Sequence, residues 1–108
     1  MKIDIPHPNE IDSVGTHLII HSWDTWNMDH TLSYIIVPML EQLKATKHGY
    51  PADLTEERWD EILDEMIWAF THKRDNFDSI TDKDREAVQA RMTNGFKLFG
   101  EYYESLWD

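Results

Sequence analysis

The chain reads as a mainly α domain, three amphipathic helices around an aromatic core with a small β element at the amino end. Three observations predict this. Apolar residues recur at helical spacing through three long stretches, most of the five Trp, four Tyr and four Phe fall on those stretches, and β-type alternation is confined to the first 22 residues. An apolar content of 41% and this many aromatic rings supply the contact area a folded chain needs. At 108 residues there is material for one core and not for two. The expected organisation is a single domain over 1–108, with a β element and loop at 1–22 and helices at 28–47, 54–73 and 82–107.

Residues 2–5 alternate as Lys-Ile-Asp-Ile, and residues 16–21 are rich in β-branched side chains, with Pro6, Pro8, Asn9 and Gly15 between them. A two-stranded element follows, too small to stand without the helices. His17 and His21 would share one face of its second strand, too far apart to chelate one ion. The first long helix begins near Met28 or Asp29 and ends before Gly49, with Leu32, Ile35, Ile36, Met39, Leu40 and Leu43 as its stripe. Pro38 removes the hydrogen bond to the Tyr34 carbonyl and is expected to bend or break it.

The second helix opens with Asp53 and Glu56 in capping-box positions and buries Trp59, Ile62, Leu63, Met66, Ile67 and Phe70. Trp68 falls among the carboxylates instead, which suits packing beneath another segment or an aromatic anchor for a partner. The third helix follows the polar linker Asp75–Thr81, with Thr81 as its cap and Asp84 at the third helical position. Its stripe is Val88, Met92, Phe96, Phe99, Tyr102, Tyr103, Leu106 and Trp107. Gly95 and Gly100 each weaken it by up to about 1 kcal/mol relative to Ala, a cost that points to close approach of a neighbour.

A formal charge of −11 argues against a general grip on nucleic acid, which needs clustered cations. Lys44, Lys47, Lys73 and Arg74 lie near helix ends, where they complement the macrodipole. The absence of cysteine excludes disulfides, thiolate zinc sites and cysteine nucleophiles, so a metal would need oxygen or imidazole ligands. Apolar runs such as Leu18–Ile20 and Tyr34–Val37 are too short for a membrane span, and no export signal is visible. No serine sits in a nucleophile elbow, and there is no glycine-rich phosphate loop.

The most informative pattern is the charged side of the second helix. Glu56, Glu57, Asp60, Glu61, Asp64 and Glu65 form like-charge pairs at spacing four, each costing roughly 0.2–0.5 kcal/mol when exposed. The helix dipole offsets this only in the first turn. Beyond a merely solvated face, two uses fit. Glu57, Asp60, Glu61, Asp64 and Glu65, with Trp68 as anchor, would form a surface for a partner protein. Alternatively Glu61, Asp64 and Glu65, completed by Asp29 or His30, would hold a divalent cation. The cluster from Trp23 to His30 matches no specific metal spacing. Its structural reading is that Asp24 or Asp29 caps a helix while Trp23 and Trp26 cover the end of the core.

The runs WDTWNMDHTLSYIIVPMLEQLKATKHG, RWDEILDEMIWAF and RMTNGFKLFGEYYESLWD resemble a set of uncharacterised proteins encoded by tailed bacteriophages, over roughly residues 23–108. Members of that set often carry insertions after KHG and before the final helix, where this chain is compact. The resemblance implies a viral product made in the host bacterial cytoplasm, or carried in the virion, and brings no activity or catalytic residue with it. The leading expectation is an accessory protein that binds a phage or host protein, without nucleic acid, membrane or cofactor. Two alternatives stand beside it. One is an assembly component that forms a homo-oligomer. The other rests on Glu61-x-x-Asp64-Glu65 followed by Met66-Ile67-Trp68, which is similar to the acidic helix of all-helical nucleoside-triphosphate pyrophosphohydrolases and would imply Mg²⁺ or Mn²⁺ bridging phosphate oxygens. The chain departs from that pattern in lacking a second paired acidic motif and in having few cations to hold a triphosphate.

Overall fold

A computed structural model of the chain describes residues 1–4, 17–75 and 82–108. Strands β1 (Lys2–Asp4) and β2 (His17–Ile19) pair antiparallel with Ile3 opposite Leu18. A short helix α1 (Ser22–Trp26) leads into the three long ones, α2 (Met28–Thr46), α3 (Glu56–Asp75) and α4 (Asp82–Glu101), and a 3₁₀ turn at Tyr103–Ser105 follows. The mainly helical architecture with its small amino-terminal sheet is the one expected. Helix α1 is an addition, since five residues are too few to show a period. Among the described residues no helix is long and apolar enough to cross a membrane.

Local chemistry explains the helix ends. The Asp24 carboxylate accepts from the His21 N–H at 2.8 Å and holds the start of α1. Helix α3 is capped by Thr55, whose Oγ1 accepts from the Arg58 N–H at 3.1 Å, so the cap lies two residues beyond the Asp53 expected from sequence. The cap assigned to Thr81 lies outside the described residues. Helix α2 runs unbroken through Pro38. Both Pro38 and Tyr34 are exposed, so water can satisfy the carbonyl that proline leaves without a donor, and the expected break is absent. The last helix stops at Glu101, not 107. The chain then turns through the 3₁₀ segment, Leu106 packs against the core, and Asp108 accepts from the His48 N–H at 2.8 Å.

Helix α3 is the middle of the domain. It packs antiparallel against α2, with Lys44 and Lys47 reaching Asp64 and Asp60 at one end and His30 and Asp29 meeting Arg74 and Lys73 at the other. It packs antiparallel against α4 as well, and α2 and α4 do not approach each other. The three helices therefore lie side by side, and the Cα trace is only 19 Å in its thinnest direction. The core lies on α3: Trp59, Ile62, Leu63, Met66 and Ala69 are buried, with Val37, Leu40 and Ser33 from α2. Ile67 and Phe70 are half-buried rather than buried. The buried positions on α2 differ from the expected stripe in that Leu32 and Met39 are exposed while Ser33 and Val37 are not. Ser33 satisfies its hydroxyl by donating to the Asp29 carbonyl at 2.9 Å. On α4, the glycine at 95 marks the close approach that sequence implied, facing Ala69 and the Glu65 carbonyl, whereas Gly100 faces open space.

Candidate functional site

The carboxylates of α3 divide among three directions. Asp60 and Asp64 turn toward α2, where Lys47 Nζ stands 2.6 Å from Asp60 Oδ1 and Lys44 Nζ stands 2.7 Å from Asp64. Glu65 turns toward α4 and takes a two-pronged grip from Arg91, at 2.8 and 3.1 Å. Glu61 pairs along its own helix with Arg58 at 3.0 Å, and Glu57 is exposed. The charge run is thus drawn apart by cations from both neighbours, which offsets the like-charge cost of its spacing. The pairing shows in the titration of its members. Arg91 donating to Glu65 holds that carboxyl below its ordinary value, and Asp64 accepting from Lys44 holds the ammonium above its own.

Among these pairs Lys47 with Asp60 is the most enclosed. The Lys47 side chain is 8% exposed, and Asp60 Oδ1 is buried with the ammonium as its charged neighbour and no aligned hydrogen bond. Removing one member strands a partly buried charge. Asp60→Asn is therefore expected to cost about 1–3 kcal/mol, and Glu61→Gln, whose pair is exposed, to stay within about 0.5 kcal/mol. Urea midpoints of the two variants check this. A rise for Asp60→Asn would mean that carboxylate repulsion outweighs the pair.

Trp68 packs, as its place beside the carboxylates allowed. The His72 ring stacks on it with centroids 3.6 Å apart, and the Arg91 guanidinium lies over it at 4.0 Å. His72 is fixed in turn by its Nδ1, which donates to the Trp68 carbonyl at 2.9 Å. Glu65, Arg91, Trp68 and His72 make one stack across the seam between α3 and α4.

Asp29 and His30 sit at the far end of the α2–α3 pair. Asp29 Oδ2 meets Lys73 at 2.6 Å, which lowers its pKa, and His30 Nε2 donates to the Arg74 carbonyl at 2.5 Å. Lys73 lies nine positions beyond Asp64 on α3, about 13 Å along the axis. Asp29 and His30 are therefore not brought to Glu61, Asp64 and Glu65, and those three point to different neighbours. Among the described residues no group of three or more His, Asp or Glu converges as metal ligands would.

A concave feature of another kind lies elsewhere. Because α2 and α4 flank α3 without meeting, an apolar trough of about 780 Å³ opens between the second half of α2 and the carboxyl-terminal segment. Ile36, Met39 and Leu43 form one wall and Phe99, Tyr103 and Leu106 the other. Met39 and Tyr103 are 64% and 62% exposed. Among the described residues the only charged one lining it is Asp108, whose Oδ1 lies 2.9 Å from His48 Nδ1 and whose carboxyl is held low by that contact. The sequence carried one sign of this trough, an α2 that is apolar around more than one face.

A second apolar surface is the amino-terminal arm. Leu18, Ile19, Ile20, Trp23 and Trp26 are all more than half exposed, and the two indoles stack on each other with centroids 4.9 Å apart. The two tryptophans thus do not cover the end of the core. No family model, curated protein or solved structure matches the chain.

Proposed function

We propose that this protein works by holding another polypeptide, and that the contact is made by the apolar trough between α2 and the carboxyl-terminal segment rather than by the acidic side of α3. One observation carries the reading. Two walls of large apolar side chains face each other across an open trough, with Met39 and Tyr103 mostly in solvent. Asp60, Asp64 and Glu65, by contrast, are committed to Lys47, Lys44 and Arg91 inside the chain. Glu57 and Glu61 are left as an acidic margin that can steer a partner, with screening by salt. Taken with the resemblance to tailed-phage proteins, the role is that of a phage accessory or assembly protein acting through protein contacts.

A photo-crosslinking side chain placed singly at Met39, Tyr103 and Glu57 tests this in cells producing the full chain. Covalent adducts to a second polypeptide, another copy included, are expected from Met39 and Tyr103. Adducts from Glu57 with none from the trough would return the contact to the acidic side of α3, and no adduct from any position would overturn a polypeptide partner.

A further inference from the structure

We infer that the trough is filled by the amino-terminal arm, residues 17–26, of a second copy of this chain, in a two-fold exchange where each copy gives its arm and receives the other's. The inference rests on the reading of the trough as a polypeptide site and names its occupant.

The two surfaces belong to one chain but do not meet within it. Among the described residues, helix α1 packs only on α2, joined to it through Asn27, and none from the arm lines the trough. The arm is thus fixed at the first turn of α2, while the trough runs along that helix from Ile36 to Thr46. Arm and trough lie toward opposite ends of the same helix. A second copy with its α2 antiparallel to the first would bring each arm over the other's trough, and a two-fold axis would make both contacts at once.

Charge favours these surfaces over any other for self-association. A chain with a formal charge of −11 repels its own copies across most faces. Over residues 17–26 the only formal charge is Asp24, which pairs with the terminal amine of Met1 at 3.2 Å. The trough, among the described residues, has only Asp108, held by His48. These are two electrically quiet, apolar surfaces on a strongly anionic molecule, whereas a basic foreign partner would be drawn first to the carboxylates.

The arm has a large apolar area to lose. Trp23 and Trp26, 72% and 74% exposed, together with Leu18, Ile19 and Ile20 at just over half, offer on the order of 600 Å². The two arms alone would then lose roughly 1,200 Å², the lower bound of a specific protein interface.

Sedimentation of the full chain over a range of concentrations tests the exchange, using neutral substitutions at exposed positions so that charge and core are unchanged. The natural protein is expected at twice its 12.9 kDa mass, with association tightened by added salt as like-charge repulsion is screened. Trp23→Gln/Trp26→Gln removes the arm's anchors, and Met39→Gln/Tyr103→Gln removes the trough's walls. Each should weaken self-association by at least about tenfold while unfolding as cooperatively as the natural chain. Mixing the two variants should restore a heterodimer, weaker than the natural dimer, because one intact arm still meets one intact trough. Loss of the dimer in the trough variant but not in the arm variant would show trough packed on trough and overturn the exchange. A strict monomer would overturn it too; adducts from Met39 and Tyr103 to a different protein would then leave the general reading standing, and their absence would remove both.

Discussion

Trp59→Ala is expected to lower stability by about 3–5 kcal/mol, a large share of the roughly 5–15 kcal/mol that holds a domain of this size together. Trp59 is 2% exposed and belongs to the cluster with Leu40, Ile62, Leu63 and Met66. Its ring meets Tyr102 edge-on, with centroids 5.6 Å apart and planes at 64°. It therefore joins α3 to the end of α4 where the chain turns back toward the core. Removing the indole deletes apolar burial and that ring contact, and it leaves a void that neighbours on three elements cannot all collapse into. Guanidinium unfolding followed by circular dichroism should show the midpoint falling with little change in slope. The most blue-shifted part of the tryptophan emission should also fall, since Trp23, Trp26 and Trp107 are 72–75% exposed and emit as solvated indoles, leaving only the half-buried Trp68 away from bulk water. Trp107→Ala should stay within about 0.5 kcal/mol of the natural chain. A loss below about 1 kcal/mol for Trp59→Ala would remove it from the centre of the core.

The same residue shows how far sequence reaches. Trp59, Ile62, Leu63 and Met66 are legible as a buried stripe because α3 has a neighbour on each side, so any apolar residue at that spacing finds cover. Helix α2 has one long helix beside it, α3, and only the short α1 against its first turn. Its apolar residues outnumber the places where they can be buried, and periodicity cannot say which of them face α3. Ser33 and Val37 take inner positions that Leu32 and Met39 were expected to hold. The charge run on α3 is equally legible as a pattern, but its resolution is not, because Lys44, Lys47 and Arg91 come from helices whose order across the layer is a tertiary fact. The trough follows from that same order. It exists because α3 keeps α2 and α4 apart, and one-dimensional spacing carries no sign of which helix is central.

Gly95→Ala and Gly100→Ala are expected to shift stability in opposite directions although the chemical change is identical. By helix propensity alone, each should gain up to about 1 kcal/mol. At Gly100 nothing lies within 4 Å of the added methyl, so a gain of about 0.5–1 kcal/mol is expected. At Gly95 the methyl would fall on Ala69 Cβ and 2.7 Å from the Glu65 carbonyl oxygen, closer than atoms can stand. The helices must then part or rotate along a seam that also carries the Glu65–Arg91 grip and the packing of Phe70 on Phe96 and Phe99. Overpacking of that kind costs about 1–3 kcal/mol or more, enough to reverse the propensity gain, and each kcal/mol lowers the melting temperature by about 4–8 °C in a domain of this size. Adding Ala69→Gly relieves the methyl–methyl overlap but not the carbonyl, and it introduces a glycine into α3 at about 1 kcal/mol. The double variant should therefore recover only part of the loss, with a coupling energy that a thermodynamic cycle can isolate. Backbone obstruction sets the remainder, since a carbonyl in a helix has no rotamer to move into. A Gly95→Ala protein as stable as the natural one would mean that α3 and α4 do not meet at this closeness.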